Sequence, residues 1–199
     1  MVFKKNIMLK LFILLKFFLL LGSCSYQYNS EHKLDIEDIK KIKLNVKSFE
    51  ISKGNSDIIT TENLLQNEIN KKVLNKLEAW AWQKFSMVGT ENKSLLSLLK
   101  IDTSVIEKSK NKKSILSIIT QDKEVYKIFL NFDLSINTND NLIKKLKIAS
   151  SISFELLNKY SITERNKVII YNVNKLIKLI DEKITFQLHK KAFNKFVIM

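Results

Sequence analysis

Apolar and polar residues alternate through Ile42, Leu44 and Val46, and the phase then shifts to Phe49 and Ile51. Alternation predicts a half-buried strand, because successive side chains of an extended chain point to opposite faces; the phase shift predicts a bulge or a strand end near Ser48. Lys53-Gly54-Asn55 supplies a turn, since glycine and asparagine tolerate positive φ. From Thr61 to Val88 the period becomes helical. Leu65, Ile69, Val73, Leu77, Trp80 and Lys84 form a stripe that is apolar until its last turn, and Gly89 is placed to close the helix as a left-handed cap. Three alternating segments follow: Leu99 to Val105, Tyr126 to Ile136, and Leu146 to Phe154. In the last two the intervening residues are largely polar or small, which predicts antiparallel strands buried on one face and mostly wet on the other. Asn137 to Asn141 is rich in turn formers and joins them.

Ser161-Ile162-Thr163-Glu164 fits a capping box, so a long helix is expected to start there. Its apolar stripe is Ile169, Val173, Leu176, Ile177, Ile180, Ile184 and Leu188, with no clear stop before about Phe193. The order β-α-β-β-β-α predicts an α+β fold: a two-layer domain in which two long helices cover one face of a four-stranded sheet.

The first 23 residues follow a different logic. A basic start at Lys4 and Lys5, an apolar stretch from Ile7 to Leu21 and small residues at its end are the parts of a secretory signal. Lys10 and Lys16 interrupt the stretch, and a membrane-spanning helix needs about 20 predominantly apolar residues, so a permanent transmembrane anchor is disfavoured. Residues 24–38 carry no periodic pattern and read as a tether, reaching at most about 50 Å from its first residue to the domain expected over 39–199.

The formal charge of +14 would ordinarily suggest nucleic acid or an anionic membrane. Removal of the leader, with Lys4, Lys5, Lys10 and Lys16 and no acid, leaves 30 basic and 20 acidic residues, or +10. Only Arg165 among the basic residues is arginine, whereas phosphate and base recognition favours planar guanidinium forks. Nucleic acid is therefore not the expected partner, and most of the charge reads as solvated surface. The single cysteine, Cys24, allows no internal disulfide.

Leu21-Gly22-Ser23-Cys24 resembles the bacterial lipobox, an aliphatic residue and two small ones before a cysteine. The resemblance implies cleavage between Ser23 and Cys24, lipid on the Cys24 thiol and attachment to a membrane. Ser25 follows, where aspartate would mark inner-membrane retention in many Gram-negative lipoproteins, so the resemblance implies the outer membrane, facing the periplasm. From Trp80 to about Lys191 the chain also resembles uncharacterised alphaproteobacterial lipoproteins. The matching pieces are Trp80-Ala81 with Val88-Gly89, Ser104 to Glu107, Thr120 to Tyr126 and Ser161 to Arg165. It departs from them at Lys84 and Phe85 and between Lys108 and Ile119. The element order is similar to that of the outer-membrane lipoprotein that plugs the lipopolysaccharide-assembly barrel, and of auxiliary lipoproteins of lipid-transport systems.

Catalytic chemistry is hard to find. His32 and His189 have no partner at ligand spacing, three glycines cannot build a phosphate loop, and Glu37-Asp38 and Asp181-Glu182 read as solvated surface. No cofactor or metal is expected. Two features suggest contact with a partner or membrane. Trp82 lies about 200° round the helix from the Trp80 stripe, and Lys108, Lys110, Lys112 and Lys113 run into Ile115, Leu116, Ile118 and Ile119. The blander alternatives are packing for Trp82 and, for the isoleucines, an arm folded back on the sheet. The expected role is a non-enzymatic accessory or scaffolding subunit in envelope assembly or lipid transport, with an envelope complex or lipid as partner. A periplasmic lipid or small-molecule binder is the alternative, and a membrane-anchored enzyme the third.

Overall fold

The apolar alternation and the two helical stripes give two helices on a mixed sheet beside a smaller sheet, an α+β fold. The computed structural model describes residues 39–53, 57–58, 61–109, 122–140, 142–190 and 192–198. All lie in the unit formed by Leu34–Met199, separate from Met1–Lys33. In chain order the elements are β1 (Ile42–Leu44), β2 (Ser48–Ser52), β3 (Asp57–Ile58), α1 (Leu64–Lys84), β4 (Phe85–Met87), β5 (Lys93–Ser109), β6 (Lys123–Asn137), β7 (Ile143–Leu157), α2 (Ile162–Leu188), a 3₁₀ turn (Asn194–Phe196) and β8 (Val197–Ile198).

The larger sheet runs β2-β5-β6-β7, with β3 also pairing β5. β2 and β5 are parallel; β5, β6 and β7 form a long antiparallel meander. β6 sends Tyr126, Ile128, Leu130, Phe132, Leu134 and Ile136 into the core, as its alternation requires. The α2 stripe, from Ile169 to Leu188, is buried throughout, and the expected capping box is present: Ser161 N–H donates to Glu164 Oε2 at 2.7 Å, and Glu164 N–H to Ser161 Oγ at 3.2 Å. On α1, Ile69, Val73, Leu77 and Trp80 are buried over the same sheet, and Asn63 caps the helix start.

Three local expectations are corrected. The segment from Ile42 to Ile51 is two strands in two sheets: β1 pairs β4 and β8, and β2 pairs β5. The phase shift is where the chain crosses over, with Asn45 N–H bonded to Phe196 O and Lys47 N–H to Glu91 O. Helix α1 stops at Lys84 rather than near Val88. Phe85 turns extended, and its ring packs 5.3 Å from Phe49 and 5.8 Å from Trp80, so a strand buries the ring that another helical turn would carry away. Finally, β5 is longer than the alternation suggested and bulges at Leu99 and Ile106, which are 38% and 55% exposed; Leu98 and Ile101 take the core positions on either side of the first bulge.

Gly89 is not a left-handed cap but a point of close approach. A Cβ there would lie 2.5 Å from Asn45 Oδ1 and 2.6 Å from both Asn45 C and Val46 N. Backbone cannot yield cheaply, so Gly89→Ala is expected to destabilise the fold by about 1–3 kcal/mol. Urea unfolding followed by circular dichroism measures this; an unchanged midpoint would show that the crossover is loosely packed.

Candidate functional site

Among the described residues, polar groups concentrate at three places, and each brings a lysine to a carboxylate. The first lies between the helices. Lys84, at the end of the α1 stripe, is fully buried; its ammonium donates to Asp181 Oδ1 and to Thr185 Oγ1 of α2, both at 2.8 Å. The same Asp181 oxygen accepts from Trp80 Nε1 at 2.8 Å. Asp181 is therefore not solvated surface, contrary to expectation, because α1 delivers a lysine and an indole N–H to it. Glu182, one residue on, is exposed as expected.

The second lies on the face of the sheet opposite the two described helices. Asp133 is buried there, with Lys145 Nζ from β7 at 2.6 Å from Oδ2, while its buried Oδ1 has no hydrogen-bond partner among the described residues. The third is at the far end of the meander: the Tyr126 hydroxyl donates to Glu124 Oε2 at 2.6 Å, Lys108 Nζ sits 3.3 Å from Oε1, and the Tyr126 ring stacks on Phe154 at 5.8 Å. The Tyr126 hydrogen bond holds the Glu124 carboxyl below its ordinary value of 4.5, against the opposing effect of burial, and Lys108 adds to it. Burial, then the Glu124 hydrogen bond, pushes the Tyr126 phenol well above 10.0. A carboxyl depressed on folding contributes stability above its unfolded value and loses it as pH falls through the folded one. A phenol raised on folding contributes below its unfolded value and loses that stability as pH climbs past it. Tyr126→Phe is thus expected to flatten the loss of stability both below about pH 4.5 and above about pH 10, read from urea midpoints across that range. Parallel curves for variant and parent would contradict the assignment.

The lone arginine is spent on backbone: Arg165 donates from Nε to Tyr160 O at 3.2 Å and from Nη2 to Asn158 O at 3.1 Å, holding the turn before α2. Among the described residues no group of three His, Cys, Asp or Glu converges as a metal cluster, and no described helix is long and apolar enough to cross a membrane.

Of the contact candidates, Trp82 is 55% exposed, and its ring meets Phe49 edge-on at 5.4 Å. It is therefore both a packing residue and a surface one. Ser23, Cys24, Lys110, Lys112, Lys113, Ile115, Leu116, Ile118 and Ile119 lie outside the described residues. Sequence reading missed the Lys84–Asp181 pair, although a lysine continuing an apolar helical stripe was the signal for it.

No family model matches the chain, and no curated protein does. Solved structures with some likeness include a minor lipoprotein from Acinetobacter baumannii, at 11% identity and TM-score 0.39 over 78% of this chain and 98% of that one. Rare lipoprotein B from Shewanella oneidensis gives 12% and 0.31 over 72% and 99%. A Helicobacter pylori protein described as a neuraminyllactose-binding hemagglutinin homologue gives 10% and 0.40 over 78% and 91%. Two of the three are lipoproteins by description; with TM-scores below 0.5, none supports the functional reading below.

Proposed function

We propose that this chain is a lipid-anchored protein of the bacterial envelope, held at the periplasmic face of the outer membrane, that works by binding, as an accessory or scaffolding subunit of envelope assembly or lipid transport. One observation carries the anchoring: Leu21-Gly22-Ser23-Cys24 closes the apolar stretch and uses the chain's single cysteine, the thiol that diacylglyceryl transfer requires. Binding rather than catalysis is favoured by how the fold spends its ionisable groups. Lys84 with Asp181, Lys145 with one oxygen of Asp133, and Lys108 with Glu124 and Tyr126 tie helix to helix and strand to strand as ion pairs. Acid–base chemistry instead favours groups with unmatched environments poised near working pH.

The described apolar side chains between helices and sheet form one cluster in which Ile69, Val73, Trp80, Leu96, Ile128, Leu130 and Leu176 are fully buried. This favours contact through an outer surface over a ligand held inside. Crosslinking in Gram-negative cells followed by mass spectrometry tests the role. The expected result is an envelope protein or lipid joined to the mature chain; recovery of neither would overturn it.

A further inference from the structure

β7 ends the larger sheet, so one of its edges pairs with β6 and the other has no strand against it among the described residues. The register shows which backbone groups that edge presents. Ser94 Oγ of β5 donates to the Ser135 carbonyl, so odd positions of β6 face β5 and even ones face β7. β6 and β7 pair even to even and odd to odd over fifteen positions without a bulge. The even residues of β7 therefore bond to β6, and the N–H and C=O of Lys145, Lys147, Ala149, Ser151 and Ser153 point outward. The Lys183 ammonium of α2 agrees: it donates to the Ala149 carbonyl at 2.9 Å.

Proteins usually blunt such an edge by shortness, proline, a bulge or charge. β7 has fifteen residues, no proline and no bulge; the bulges of this sheet are in β5. Positive charge is present on one half only. Lys144 and Lys147 are exposed with no ion pair among the described residues, whereas Ala149 to Ser153 is small or apolar and uncharged, and Glu155 beyond it is held by Lys123 Nζ of β6 at 2.6 Å. Over the middle of the edge stands Lys183, also 3.3 Å from Ser150 Oγ.

We propose that this edge receives an extended acidic segment of a partner protein as an added β-strand, with Lys183 as the gate. Spacing disfavours symmetric pairing with a second copy of this chain. α2 packs on β7, so antiparallel pairing of two β7 edges about an axis normal to the sheet would bring two α2 helices to about one strand spacing, roughly 5 Å, where packed helices need about 8–10 Å. A bare strand meets no such obstacle. Its charge is set by Lys144, Lys147 and Lys183: a carboxylate opposite the middle of the edge draws the Lys183 ammonium off the Ala149 carbonyl, which then accepts a ladder bond from the incoming N–H. The surface deepens the binding role proposed above, but its test does not depend on the lipid.

The probe is a ten-residue peptide alternating valine and glutamate, added to the full chain in detergent, with a lysine-for-glutamate version and a version N-methylated on alternate amides as controls. Expected are binding by fluorescence anisotropy, slowed hydrogen exchange in fragments covering residues 147–153, and affinity about tenfold or more weaker for both controls. Ser151→Pro removes an outward N–H that β6 does not use and is expected to abolish binding; the N-methylated peptide makes the same point on the unaltered chain. No protection of residues 147–153, or equal binding by the N-methylated peptide, would overturn the proposal. Equal binding by the lysine peptide would overturn its acidic partner, and protection without peptide that rises with protein concentration would show a second copy there instead.

Discussion

Asp181→Ala is expected to lower the unfolding free energy by about 3–5 kcal/mol, a fall in melting temperature of roughly 10 °C for a unit of this size. The cost comes less from the attraction lost than from the charge left behind. Lys84 Nζ is fully buried, and without Asp181 it keeps one neutral partner, Thr185 Oγ1, while Trp80 Nε1 loses its acceptor altogether. Removing both charges should behave differently. Lys84→Met with Asp181→Leu leaves no buried charge and is expected to cost less than Asp181→Ala alone, about 1–3 kcal/mol, the remainder being the buried Trp80 N–H without its acceptor. Chemical denaturation of the single and double variants reads the coupling directly. A single variant within about 0.5 kcal/mol of the parent would mean that the pair is a surface feature and that α1 and α2 are held by apolar contact alone.

Cys24→Ser is expected to abolish lipidation. The oxygen that replaces sulfur is a poor nucleophile for diacylglyceryl transfer, so the chain should take no labelled palmitate and should persist as the uncut precursor. Fractionation alone is ambiguous for this variant, because the retained apolar stretch from Ile7 to Leu21 can itself hold a precursor at the membrane. Exchanging residues 1–23 for an ordinary cleavable signal, with Ser at position 24, resolves this: the product should be released to the soluble periplasm. Two or three acyl chains anchor firmly and a single one only marginally, so nearly all of the parent should pellet with membranes. Cleavage and labelling of Cys24→Ser at the parent's level would refute anchoring through this residue.

Legibility in the sequence followed the strength of each local signal. The α2 stripe and its capping box were clear because one helical face is unbroken from Ile169 to Leu188 and the cap is made by residues three apart. β6 and β7 were clear because one face is apolar and buried while the other is largely polar, exposed in β7 and mostly half-buried in β6, so the alternation survives. What was not legible depends on contacts between distant residues. Nothing local says that the strand pattern from Ile42 to Ile51 divides between two sheets, since the decision is taken by Phe196 and Glu91 far along the chain. The bulges at Leu99 and Ile106 break the alternation of β5 and hid the strand's first half. Asp181 looked solvated because its partner, Lys84, is about a hundred residues away and lysine on a buried stripe is uncommon. The free edge of β7 could be read only once strand order was known, because an edge strand and a central strand buried on one face share the same alternation.

The central claim is lipid attachment at Cys24, and the most direct measurement is the mass of the N-terminal peptide of the protein extracted from the membranes of Gram-negative cells. The account predicts a peptide that begins at Cys24 and carries a diacylglyceryl group on its sulfur with an acyl chain on its amine. An unmodified Cys24 inside a longer peptide that still contains Leu21-Gly22-Ser23 would contradict it.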